Sequence, residues 1–192
     1  MSLQKINPRF IVLLLLMIAA AAMRIPSAAT LSPLSNFTPI GAMALFGGAY
    51  FQKNWKAYAF PLLTLLASDI VINTVVHQGK FGIMYSGWYW TYAAFALMVL
   101  TGKILLKKIT IKNIVIASIA TVFIHWIVTS PACILLEGSM YPKTWAGYYT
   151  SLVAAIPYER NFLIGTLLYS GVMFGVFEWM KQRYTALQTK TI

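Results

Sequence analysis

The residue that most limits how this chain folds is Asp69, set in the apolar stretch FPLLTLLASDIVINT at residues 60–74. A carboxylate at the centre of a membrane helix costs roughly 2.5–3.5 kcal/mol on insertion scales. It must therefore face protein, water or a partner and not lipid. No other acidic residue is expected inside an apolar run. The remaining apolar segments read as a wall around it.

Composition supports a membrane reading. Of the 192 residues, 59% are hydrophobic and 10% charged, far from an ordinary soluble domain. The net charge of +11 is not gathered in one patch. Basic residues fall between the apolar runs, as membrane topology requires, so nucleic acid is not an expected partner. A single cysteine, Cys133, excludes an internal disulfide. No phosphate-binding loop, zinc-binding His pair or nucleophile elbow is present, no cofactor is implied, and an enzyme is not expected.

The expected fold is all-α, one membrane domain over residues 1–192. Six spans fall at about residues 10–28, 36–52, 57–76, 88–106, 114–136 and 162–180. The first is read as an uncleaved span, extended by a snorkelling Arg24, in preference to a secretory signal. The second is short, and Gly41, Gly47 and Gly48 with Ala42 and Ala44 give it a smooth face for close packing. Pro61 falls in the first turn of the third. Asn113 is the expected cap of the fifth, and Pro131 should free the carbonyl of Ile127. Residues 145–156 predict an interfacial helix about 18 Å long, too short to cross, ended by Pro157. Gly171 and Gly175 form a small-xxx-small pair in the sixth span.

Orientation follows from Lys and Arg. With the N-terminus inside, Lys5, Arg9, Lys53, Lys56, Lys103, Lys107, Lys108, Lys112, Lys181, Arg183 and Lys190 are inner. Arg24, Lys80, Lys143 and Arg160 are outer. Eleven against four predicts a multi-pass protein of the cytoplasmic membrane with both termini cytoplasmic.

Candidate substrate-binding residues then lie toward the outer side. Asp69 pairs with Arg24 or polarises a solute pocket, and the two readings can coexist. Asn36 and Thr38 open the second helix, either as caps or as anion-facing groups. His77 ends the third span. Trp145 and Tyr149 lie on the segment expected to cover the bundle, among an excess of outer aromatics that either lines a pocket for a ring-bearing solute or anchors the interfacial helix. His125 is mid-membrane, where a hydrogen bond to a neighbouring helix is the default. Cys133 and His77 are the candidate ligands for a metal-bearing solute.

Several motifs carry a resemblance: Asn36-Phe-Thr-Pro-Ile-Gly-Ala, Leu45-Phe-Gly-Gly-Ala, Ser68-Asp69, Met140-Tyr-Pro-Lys-Thr and Ala155-Ile-Pro-Tyr before Asn161. From about Arg24 to Trp179 the chain resembles an uncharacterised family of small bacterial membrane proteins that is assigned to transport. That family is similar in turn to the substrate-binding S components of energy-coupling factor (ECF) transporters. The resemblance implies a six-helix S-component-like bundle that captures a vitamin-like or metal-bearing micronutrient from outside. It implies a coupling membrane subunit and ATPases as partners. One departure is that Ala19–Ala22 holds no Ala-x-x-x-Ala pair, the spacing with which S components contact that subunit. The rival readings are a proton- or cation-coupled secondary transporter using Asp69 and His125, and a non-transport membrane scaffold.

Overall fold

The computed structural model describes residues 7–28 and 34–188. Its described residues form helices and turns, with no strand among them. Lys5 and Lys190 lie outside the described residues.

The centre of the molecule is α3 (Ile40–Tyr50). Ten of its eleven residues are buried, so the short second apolar run is a core element. A helix apolar on every face has no side to give to water and is packed all round. Small residues make that packing close. A Cβ on Gly48 would collide with the Val99 carbonyl oxygen of α5 (Trp88–Leu105). A Cβ on Gly102 would fall 2.8 Å from the Leu45 Cα. The α3 and α5 backbones therefore touch through two glycines. Gly47 makes room for the Pro61 ring of α4 (Asn54–Val71).

Around α3 stand α1 (Pro8–Ala22), α4, α5, α6 (Ile111–Thr129) and α8 (Trp145–Arg183). A break at Met23 separates α1 from the single-turn α2 (Arg24–Ala28). α4 runs into a π-helical turn, Ile72–Val76. Among the described residues, four helical stretches are long and apolar enough to cross a membrane: Pro8–Pro26, Asn54–Val76, Ile111–Leu135 and Trp145–Arg183.

The first and last described helical segments meet at one end of the bundle. The Arg9 guanidinium donates to the Leu187 carbonyl at 2.7 Å and stacks over Tyr50 and Phe177. Beside it, Tyr50 donates to Glu178, which also pairs with Lys181 at 2.6 Å.

Several local expectations are corrected. Residues 145–156 are not a separate interfacial helix, because α8 runs unbroken through Pro157 for 39 residues, about 58 Å. Its first part is fastened to α6. The Trp126 indole donates to the Leu152 carbonyl at 2.9 Å, one residue before the carbonyl that Pro157 leaves without its helical donor. Tyr148 donates at 3.1 Å to Ile127, the carbonyl that Pro131 frees when it separates α6 from α7 (Ala132–Leu135). Pro61 lies well inside α4, beyond the first turn. Thr110, not Asn113, caps α6, accepting from the Asn113 N–H at 3.2 Å. Asn36 and Thr38 do not cap α3, whose N-cap position is Pro39. Gly171 and Gly175 touch no other element, so α8 does not pack through them within the chain.

Candidate functional site

Arg24 does not snorkel. It is 9% exposed and turns inward, and its Nη2 lies 2.6 Å from Asp69 Oδ1. Its Nη1 donates to the Ser68 hydroxyl and to the Leu65 carbonyl. Tyr92 donates to the other Asp69 oxygen at 3.0 Å. Asp69 is 3% exposed, with both oxygens engaged. The break at Met23 lets Arg24 reach α4, where Ser68 and Asp69 follow one another at the buried face. Nearby, outside the helices, burial pushes the Tyr85 phenol above its usual range, helped by Asp69 and opposed by a Thr91 hydrogen bond and by Arg24.

Arg24, Asn36 and Thr38 line one small cavity of about 160 Å³, with Phe37, Ile40 and Ile72. Asn36 takes a left-handed φ of 67°, which asparagine tolerates better than most residues. The turn is held by Asn161, whose amide donates to the Ser35 carbonyl at 3.0 Å. The Thr38 hydroxyl is buried and unpartnered.

Trp145 belongs to a different place. With Trp90, Ile127, Val128, Pro131, Lys143, Thr144 and Tyr148 it lines an open groove of about 580 Å³. The groove lies where α5 begins and α6 ends. The Trp90 indole N–H is itself buried, with no acceptor. Tyr149 is 70% exposed and does not line the groove; Tyr148 does. His77 packs edge-on against Phe81, away from both cavities. Cys133 is exposed. No group of three or more His, Cys, Asp or Glu side chains suited to a metal occurs among the described residues.

The expectation that Asp69 is the only acidic residue within an apolar run is overturned by α8. Glu159 is 6% exposed, and its Oε1 lies 2.8 Å from His125 Nδ1 of α6. Its Oε2 is buried and unpartnered. Reading Pro157 as a helix end placed Glu159 in a loop. One signal was available: Glu159, Thr166 and Ser170 share a face of an unbroken helix, as Ser118, Thr121 and His125 do on α6.

No curated protein and no solved structure matches the chain. The match that does occur is to a family model covering residues 4–187, and on that extent the chain belongs to a family of unknown function, DUF6580.

Proposed function

We propose that this is a solute-capturing transport protein of the bacterial cytoplasmic membrane, a six-span, S-component-like bundle with cytoplasmic termini. The uneven Lys and Arg distribution and the adjacency of Arg9 to Leu187 support that orientation. The groove then opens on the outer side. In this reading α3 and α5 complete the six spans alongside the four long helices.

One observation carries the proposal: an open groove of about 580 Å³, walled by Trp90, Trp145 and Tyr148. That volume suits a small organic molecule, and apolar walls with few polar groups are the usual makeup of such sites. Flat aromatic walls favour a ring-bearing solute. Lys143 and Thr144 add polar contacts on the lining. Arg24, Asn36 and Thr38 form a second, smaller recognition point. Cys133 and His77 do not line the groove, so the solute is not expected to be held through a metal by them. With no nucleotide-binding motif in the sequence, energy for uptake would come from a coupling subunit and ATPases.

The test is a thermal-shift screen of the detergent-purified chain against vitamins and their precursors. A ligand at 100 times its dissociation constant should stabilise by about 2.7 kcal/mol. The reading requires a hit that is weakened in Trp145→Ala and Trp90→Phe while both variants remain folded. A hit untouched by both changes would remove the groove from the site. No hit across the panel would favour the scaffold reading.

A further inference from the structure

The end of the bundle where Arg9 meets Leu187 holds a polar cavity of about 230 Å³. Asn7, Arg9, Tyr50, Gln52, Lys53 and Lys56 supply its polar lining. Three of these side chains are cationic, and no carboxylate is among the described lining. Arg9 is already committed to the Leu187 carbonyl and to the Tyr50 and Phe177 rings. Lys53 and Lys56 are not committed in this way. Among the described residues, neither joins an ion pair. The Lys56 ammonium rests over the Phe10 and Trp55 rings, 5.2 and 5.5 Å from their centroids. Glu178, on the far side of Tyr50, is taken up by Tyr50 and Lys181 and does not line the cavity. Lys53 is the N-cap residue of α4 and makes no side-chain cap, so the first-turn N–H groups of that helix add to the positive field.

A second cavity continues from the first along the same two helices. α1 and α4 border an apolar groove of about 430 Å³. Leu14, Ile18 and Ala22 line it from α1, and Phe60, Leu63, Ala67 and Val71 from α4. On α1 these residues repeat every four from Phe10, and on α4 they follow Lys56 at steps of three or four. One face of each helix therefore carries both the polar cavity and the groove. Phe10 of the cavity meets Phe60 of the groove edge-on, with ring centroids 4.8 Å apart, so the two adjoin. From Phe60 to Val71 the groove runs about 16 Å at the helical rise, roughly half of a ~30 Å hydrocarbon core and so the depth of one leaflet.

We propose that an anionic phospholipid seats here, its phosphate at Lys53 and Lys56 and one acyl chain along the α1–α4 groove, with phosphatidylglycerol as the probe. Charge complementarity sets the headgroup. Basic pockets between membrane helices hold anionic headgroups. A zwitterionic lipid would bring its own cation to a lining that offers no carboxylate. The amides of Asn7 and Gln52 add donors for phosphate oxygens. The adjoining groove selects a lipid over a free anion, which would leave that apolar surface uncovered. Trp55, 61% exposed beside Lys56, is the residue type that sits at headgroup level. The inference rests on the membrane placement of the bundle and is independent of any solute at Trp90 and Trp145.

The experiment is thermal unfolding of the full chain in one detergent. Dioleoyl phosphatidylglycerol, dioleoyl phosphatidylcholine or inorganic phosphate is added in separate arms. The expected result is a saturable rise of several degrees in phosphatidylglycerol over phosphatidylcholine, with no such rise in phosphate. Lys53→Gln combined with Lys56→Gln should abolish the increment. Without lipid that variant should unfold near the wild-type midpoint, since neither lysine holds an ion pair. Lys107→Gln combined with Lys108→Gln removes equal charge outside the cavity and should keep the increment. Ala67→Phe, which fills the groove, should reduce it at least by half. Equal wild-type midpoints in the two lipids overturn the proposal. An increment kept without Lys53 and Lys56, or lost equally in the control pair, does so too. A rise reproduced by phosphate alone, or an increment untouched by Ala67→Phe, overturns the assignment to a lipid. If the Lys53 and Lys56 variant fails to fold, native mass spectrometry of the wild type decides. Retention of phosphatidylglycerol over phosphatidylcholine supports the site, and equal retention overturns it.

Discussion

Arg24 and Asp69, 45 residues apart, hold an ion pair of 2.6 Å that is further bonded by Ser68, Leu65 and Tyr92. The pair fastens the chain just after α1 to the C-terminal end of α4. Its weight is expected to be structural first. Removing one partner of a buried pair leaves an uncompensated charge and costs about 3–5 kcal/mol. Asp69→Leu should therefore destabilise strongly in a thermal or denaturant unfolding measurement. Arg24→Met combined with Asp69→Leu should recover most of that loss, because an apolar pair of similar volume avoids the desolvation cost. Failure of the double variant to exceed the single ones would mean the pair does more than neutralise itself.

The glycines divide into two classes, and the division is measurable. Gly48→Ala sets a methyl against the Val99 carbonyl and should cost about 1–3 kcal/mol through backbone displacement. Gly171→Ala and Gly175→Ala meet nothing within 4 Å. In mid-helix they should be neutral, or stabilise by about 0.5–1 kcal/mol. Unfolding midpoints of the three variants side by side check this, and equal losses in all three would contradict the packing of α3 on α5.

Tyr148 should matter through its hydroxyl as well as its ring. Tyr148→Phe leaves the Ile127 carbonyl without its donor beside Pro131. The expected loss is about 1–3 kcal/mol, the desolvation cost of an unsatisfied acceptor. Amide hydrogen exchange should rise locally in residues 145–152, where α8 is held to α6. Unchanged exchange there would mean that the Trp126–Leu152 bond is sufficient alone.

Cys133 gives the orientation a direct readout. It is exposed and lies near the groove, at the end of α6 away from Arg9 and Leu187. In cells with a permeabilised outer membrane, a membrane-impermeant maleimide should label it without lysis. Labelling that requires disruption of the cytoplasmic membrane would reverse the proposed topology.

How much of this was legible beforehand depends on the range of the interaction. The burial of the second run could be read from Gly41, Gly47, Gly48 and their alanines, since composition alone left that segment no polar face. An Asp69–Arg24 pair could be suspected, because two opposite charges in apolar surroundings have few other stable arrangements. Where the bond falls was not legible, nor that Tyr92 completes it. Pro157 was misjudged because the cost of a proline is set by its neighbours. The Trp126 indole bonds to Leu152 from another helix, and α8 continues where local propensity would end it.

The sequence by itself determined that this chain is helical, apolar enough for a bilayer, and forced to bury a few charges. Those properties are sums over neighbouring residues, and solvent transfer sets them without reference to the rest of the molecule. Tertiary structure alone decided which polar groups meet: Glu159 with His125, Tyr148 with Ile127, and Tyr92 with Asp69. Each pairing joins residues on different helices. The rotation and register of those helices come from packing across the whole bundle, which no local pattern encodes.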